Sequence, residues 1–488
     1  MNSLFATLFG YGVPIVASLL IGLAAVICMV IALVCPRYIV LGYVAILLLF
    51  PNSSSYGMLE GQTNPIIYVK GTKTFFFSFL DMMIFGTWLL AVAYGRLWRL
   101  EREPLIPLSK YYIVFAVLFF GHVGAGMLDP KHFTLMDFGA AGVINVLWQG
   151  MFVSLLLATI RSERDLRVLL WVILICAAGR EAFGLFRYAF LGGDPQNAYA
   201  NLQGMNIKIT FWDINDSIIA ALVVCFCGWK LLAERVKGWH GLAYSALGLM
   251  AALIPLLSSR RTAQGGLLLA MAVLLFLLPH GRRWPIILAI IVMTPLAAVL
   301  VAQRTQVNAS FVQKIFLDVK ISDVSDPRRS RFHEFNTAWQ TVRESPLFGL
   351  GPAGQYRVTD HVGLEYHKGR YDYVHSGFGH IMLKMGFVGL FVFCGLFAVY
   401  LRQLRIGWRT LPPRWRALAV GSICAFAAQL PNMFFGTPIG EIRTMQLLGL
   451  ILALPFILSA IFRKTEPSAR VQPSPSFSGY TSVSLERR

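Results

Sequence analysis

Apolar residues in this chain come in long runs, and the runs are continuous rather than alternating. Thirteen of them lie at 12–34, 38–50, 75–95, 111–128, 141–160, 168–190, 214–232, 241–257, 264–279, 285–302, 377–400, 417–435 and 445–462. Most are long enough to cross the roughly 30 Å of hydrocarbon in a bilayer. Backbone groups have no water to bond there, so such runs must be helices. The run at 38–50 is short enough to be re-entrant. The pattern predicts an all-α, polytopic helical membrane protein with about 12–13 transmembrane helices. It divides into a membrane domain over 1–302, a large loop over 303–376, a membrane domain over 377–462 and a Pro/Ser-rich tail over 463–488 that reads as disordered.

The loop is the one long polar stretch. It holds ten Lys and Arg, eight acids and His333, His361, His367 and His375. Asp326-Pro327 predicts an N-cap followed by proline at the first helical position, opening the helix RRSRFHEFNTAWQTVRES, which ends at Pro346. Phe335, Ala338, Trp339 and Val342 form its apolar arc, and Arg331 projects into the middle of that arc. FGLGPAG matches G-x-G-x-x-G through Gly349, Gly351 and Gly354, but without a strand before it the segment predicts a glycine-proline turn. No metal site is predicted: the histidines lack a matching thiol or carboxylate cluster, and the loop has no D-x-D pair.

Charge adds a direction. The net charge is +19, and the alternate connections carry 23 of the 43 Lys and Arg against seven acids. The positive-inside rule places those connections in the cytoplasm and the large loop outside. Topology thus accounts for the basic balance; membrane lipids are the implied partner and nucleic acid is not. No cleavable signal is expected, because no basic segment precedes the first run. The seven cysteines lie in or at the ends of apolar runs and predict no disulfide framework. No internal repeat is evident, which argues against a transporter.

A few cations fall where lipid is expected. Arg180 and Arg187 are seven apart and share a helix face with Gly184. Lys384 lies nine residues past His375, about 13 Å below the outer surface at ~1.5 Å per residue. Arg260 and Arg261 follow the eighth run at its outer end, in LLSSRRTAQGG. Such charges mark either a site or an internal pair, for example with Glu181. Their restriction to the outer half suits a pyrophosphate, whose oxygens match arginine forks. His375, in DYVHSGFGH where the loop turns into the next run, is either a base or an interfacial histidine bonded to backbone.

Ser259-Arg260 opening a span, the spacing Arg331…Trp339…Pro346-x-x-Gly349-x-Gly351, a tyrosine-rich stretch, His375, and MGFVGL entering a span together resemble the bacterial O-antigen ligase and polysaccharide polymerase superfamily. The resemblance covers about 250–400 in motif detail. It implies a GT-C-like, metal-independent glycosyltransferase of the bacterial inner membrane, with no cofactor. The donor would be a glycan on undecaprenyl pyrophosphate, taken at the periplasmic side, and the acceptor another lipid-linked glycan or lipid A–core. By position, Arg260 (or Arg261) and Arg331 would bind pyrophosphate with catalytic effect and His375 would be the catalytic histidine. Arg180, Arg187 and Lys384 would complete the pyrophosphate site. Two positions depart from the family: Ser376 stands where Asn often follows the histidine, and no acid lies near Lys384. A flippase for lipid-linked oligosaccharide is the alternative, using the same cations without bond cleavage.

Overall fold

The computed structural model describes residues 30–31, 34–50, 79–95, 108–127, 142–194, 208–305, 331–357, 374–436 and 438–463. Most of the first apolar run lies outside these residues, as do Asp326-Pro327, His361, His367 and the tail after Arg463. Thirteen α-helices and two 3-10 turns are found among the described residues, and no strand. In chain order they are α1 (Pro36–Leu49), α2 (Phe79–Ala93), α3 (Ser109–Met127), α4 (Ile144–Thr159), α5 (Glu163–Phe190), α6 (Ile214–Leu232), α7 (Gly238–Leu257), α8 (Arg261–Leu277), α9 (Trp284–Thr305), α10 (Arg331–Val342), α11 (Gly377–Gly407), α12 (Pro413–Phe435) and α13 (Ile442–Arg463). The 3-10 turns are His280–Arg282 and Pro438–Gly440.

Six helices, α5, α6, α7, α11, α12 and α13, are long and apolar enough to cross a membrane. Each apolar run from the second onward contains a helix, and α10 forms in the loop. The protein is a polytopic helical membrane protein. The run at 38–50 is the 14-residue α1, about 21 Å long at ~1.5 Å per residue and so shorter than the hydrocarbon.

Helices α6, α12 and α13 are buried over most of their length, and α8 packs on α6 and α12. A helix apolar on every side belongs in the middle of such a bundle. The outer helices α2, α3, α7 and α9 instead expose large apolar side chains such as Val117, Leu249 and Ile291, the face expected toward lipid. Trp239 and Trp284, at the starts of α7 and α9, are exposed at the same end of the bundle, where an interfacial aromatic belt belongs.

That end gathers the basic connections. Arg37 pairs with Asp165 at 3.2 Å, Arg414 with Glu163 at 2.7 Å, and Lys230 with Glu234 at 2.6 Å while also reaching the Arg414 carbonyl. Ser162 and Asp165 form a capping box at the start of α5, which holds Asp165 where Arg37 meets it. The two arginine pairs are partly exposed and contribute little stability; what they show is that alternate connections meet at one end.

At the opposite end, α11 is interrupted. Gly386 has φ 62°, ψ −164° inside the helix, a conformation that disfavours any side chain. The turn after α10 fills the gap. Leu350 N–H donates to the Leu383 carbonyl at 2.9 Å and Gly351 N–H to that of Lys384 at 3.0 Å. Phe387 and Val388 N–H donate back to the carbonyls of Pro346 and Leu347, at 2.9 and 3.1 Å. The backbone groups freed by the break thus find partners in protein rather than lipid. Gly349 and Gly351 have φ 74° and 79°, the turn expected of FGLGPAG. A Cβ on Gly349 would come within 2.5 Å of Gly386 N, so the close approach itself requires glycine.

Candidate functional site

Helix α10 lies along the first turns of α11. Ala338 and Val342 are buried against Met382 and Leu383, and Trp339 stands edge-on to Phe387 with ring centroids 5.9 Å apart. Phe335 lies against Gly379, where a Cβ would be 3.0 Å from its ring. The apolar arc is therefore the packing face. Arg331 is the first residue of α10; its side chain lies outside the described residues.

Glu334 shares that face, one helical turn before Ala338, and is 5% exposed. Its carboxylate accepts from the His375 backbone N–H at 3.1 Å and meets His375 Nδ1 at 2.9 Å. A carboxylate at Nδ1 favours the neutral tautomer with its proton there, which makes Nε2 the basic nitrogen. His375 keeps 27% of its side chain exposed. Ser376 is the N-cap of α11, its Oγ accepting from Gly379 N–H at 3.1 Å. Serine and asparagine are both good N-caps, so the departure at this position preserves its structural task.

The sequence-predicted cations divide into two groups. Arg180 sends Nε and Nη2 to the two oxygens of Asp216, at 3.1 and 3.0 Å. Arg187 pairs with Asp194 at 2.7 Å and donates to the Thr210 carbonyl at 2.5 Å. Both guanidinium groups lie over the ring of Phe211, at 3.9 and 5.0 Å from its centroid. Gly184 leaves room for that ring: a Cβ there would collide with Phe211. Internal pairing therefore occurs, with Asp216 and Asp194 as partners in place of Glu181. Lys384 is fully buried and donates to the Gly354 carbonyl at 2.5 Å, so it anchors the turn at the helix break.

Arg260 is placed differently. Ser259, with φ 54°, occupies the left-handed region that non-glycine residues rarely adopt. It turns the chain from α7 into α8. Arg260 then stands at the N-cap of α8, half-buried, with Nη1 donating to the Trp212 carbonyl and its guanidinium 4.8 Å from the Trp212 ring centroid. Arg261 follows, exposed.

Four residues at this end were not among the sequence-predicted site residues. Arg443, fully buried, bonds Asp213 at 2.6 Å, Asp216 at 3.0 Å and the Leu47 carbonyl at 2.7 Å. Asp213 is the N-cap of α6 and Asp216 lies in its first turn. Glu441 sits in the connection between α12 and α13, half-buried, accepting from Thr444 Oγ1 at 2.7 Å. Burial first, then the Asp213 carboxylate, push its carboxyl up to about 7, against the pull of the Thr444 hydroxyl, Arg260 and Arg443. The same connection reaches the histidine side, since a Cβ on Gly377 would lie 3.0 Å from Pro438. The Pro438–Gly440 turn thus lies between the histidine end of α11 and the charged ends of α6, α8 and α13.

Glu334 had a sequence signal, because it lies on the same helical arc as Ala338 and Val342. Arg443 had a weaker one, two residues ahead of the last apolar run. Glu441 had none.

No curated protein matches the chain. Residues 245–394 match the model of a family described as O-antigen ligase. The match takes in Arg260, Arg261, Arg331, Glu334, His375 and Lys384; Arg180, Arg187, Glu441 and Arg443 lie outside it. Residues 245–394 thus form a domain of the O-antigen ligase superfamily.

Proposed function

We propose that this chain is a metal-independent membrane glycosyltransferase of GT-C type in the bacterial inner membrane. It moves a glycan from undecaprenyl pyrophosphate to an acceptor on the periplasmic face, as a polymerase onto another lipid-linked glycan or as a ligase onto lipid A–core. The observation that carries the reading is the His375–Glu334 pair, set within an O-antigen ligase domain at the same end of the bundle as Arg260. The loop and both sides of this pair face the periplasm, and the basic end and the C-terminus face the cytoplasm.

In this reading an acceptor hydroxyl attacks the anomeric carbon of the donor sugar while His375 Nε2 takes its proton. The glycosidic C–O bond forms as the bond from the anomeric carbon to the phosphate oxygen breaks. Undecaprenyl pyrophosphate leaves with the electron pair. Glu334 holds the ring in place and stabilises the imidazolium that forms. Arg260, Arg261 and Arg331 take the charge that develops on the pyrophosphate. Arg180, Arg187 and Lys384, already bonded to Asp216, Asp194 and the Gly354 carbonyl, support the site from behind.

The test is purified protein supplied with undecaprenyl-pyrophosphate glycan and candidate acceptors. Glycan transfer should proceed in EDTA. Arg260→Gln should lose about 1.5–3 kcal/mol of charge-assisted bonding, roughly ten- to a hundredfold in rate. Arg260→Lys should recover only part of it, since the fork is gone. Movement of intact lipid between leaflets without bond cleavage would overturn the reading in favour of a flippase.

A further inference from the structure

A cleft of about 270 Å³ opens at the basic end of the bundle, away from His375. The start of α1 and the ends of α2 and α4 converge on it, and Cys35, Arg37, Ala91, Ala158, Thr159 and Arg161 line it. Two of its lining residues are arginines and none is an acid. Arg37 spends two of the five guanidinium N–H groups on Asp165 and the Tyr38 hydroxyl, so it can bond an anion in the cleft while keeping both. Asp165 does not line the cleft, and its other oxygen is taken by the Ser162 N–H and hydroxyl. Pro36 opens α1 at the same wall, and no side chain caps that helix end. The positive pole of α1 therefore adds to the two guanidinium groups.

The surroundings of the cleft narrow the kind of anion that fits. Val34, at its rim, and Val30 before it are both exposed. Phe85 and Leu89 form an exposed apolar face of α2, deeper in the bilayer than Ala91. Cationic walls with an apolar approach suit a lipid whose phosphate enters the cleft while its acyl chains stay outside along α1 and α2. The headgroup must also be net negative. A zwitterionic headgroup brings its own ammonium, which would face two arginines and no acid on the wall. Thr159 Oγ1 donates to the Leu155 carbonyl at 2.7 Å, which leaves its lone pairs to accept from a headgroup hydroxyl.

We propose that this cleft binds an anionic phospholipid of the phosphatidylglycerol class. The phosphate is held by Arg37 and Arg161, and the headgroup hydroxyls lie toward Thr159. The bound lipid ties α1, which is too short to cross the hydrocarbon, to the ends of α2 and α4. The site requires only that this end of the bundle meet a leaflet, and it is independent of the donor chemistry at the other end.

The probes are dioleoyl phosphatidylglycerol and dioleoyl phosphatidylcholine, added to the delipidated full chain in detergent. Native mass spectrometry counts retained lipid, and thermal unfolding is followed alongside. Phosphatidylglycerol should be retained as a single copy and should raise Tm with concentration, as a ligand of the folded state does; phosphatidylcholine should do neither. Arg161→Gln should bind phosphatidylglycerol about tenfold more weakly. Arg402→Gln, which removes an exposed arginine on α11 outside the cleft, should bind it as the wild type does. Ala158→Leu fills the cleft without touching a charge; it should lose the lipid while its lipid-free Tm stays at the wild-type value. That variant decides the matter if Arg161→Gln melts early without lipid. Equal retention of phosphatidylcholine overturns the proposal, as does equal loss in Arg402→Gln, which would mean diffuse attraction to a basic surface. Undiminished binding in Ala158→Leu would put the lipid elsewhere and overturns it too. Inorganic phosphate that displaces the lipid and raises Tm as much overturns the lipid assignment in favour of a free anion.

Discussion

A buried acid that grips a histidine at two points, its backbone N–H and its Nδ1, sets both the place and the tautomer of the ring. Glu334 does this for His375, and the two residues should therefore fail in different ways. His375→Ala should leave donor binding intact and reduce transfer by roughly 10²–10⁴, the worth of a positioned base. Glu334→Gln keeps the volume but not the charge, and should cost a smaller factor, roughly ten- to a hundredfold, in turnover rather than in KM. Turnover, KM and donor binding measured on the same preparations separate the two. Equal loss in both variants would mean that Glu334 is needed for more than orientation. These residues also show what could be read in advance. His375 stood out as a histidine at the edge of a span. Glu334 was one of eight acids in a polar loop, and only its helical arc marked it as buried. The carboxylates of Asp213 and Asp216 were hidden for another reason: hydropathy places them at the start of a span but cannot say which arginine they face across the bundle.

The elements that carry these residues are joined at the break in α11. Gly386 and the turn at Gly349 occupy one another's space, and each has a positive φ. Gly386→Ala places a Cβ against the Leu347 backbone as well as forcing a strained conformation, at a cost of about 1–3 kcal/mol or more. Thermal unfolding in detergent should show this loss, with a fall in transfer as α10 shifts against α11. Gly86→Ala, in α2 with nothing within 4 Å of the added methyl, is the neutral control. The long apolar run at 377–400 did not reveal this interruption, because glycines in MGFVGL look like ordinary small residues of a membrane helix. The turn signal in FGLGPAG was legible; its partner was not, since nothing local in either segment encodes the other.

For the whole molecule, the continuous apolar runs and the alternation of basic connections were enough to predict a helical membrane protein and to sort its connections between two ends. Arg37, Glu163, Lys230 and Arg414 meet at one end, and Asp213, Arg260, His375 and Arg443 lie at the other. A tag placed within 358–370 should accordingly be labelled from the periplasm, and one after Arg463 from the cytoplasm. Labelling of both from one side would overturn the assigned orientation. The docked turn carries one more implication, for how this chain tolerates change. Glu334 and His375 are 41 residues apart in sequence, yet their alignment is set by the seam between α10 and α11 and by the four backbone bonds at Gly386. Those four bonds lie wholly within 346–351 and 383–388. A substitution in that seam should therefore misalign the pair without touching either residue.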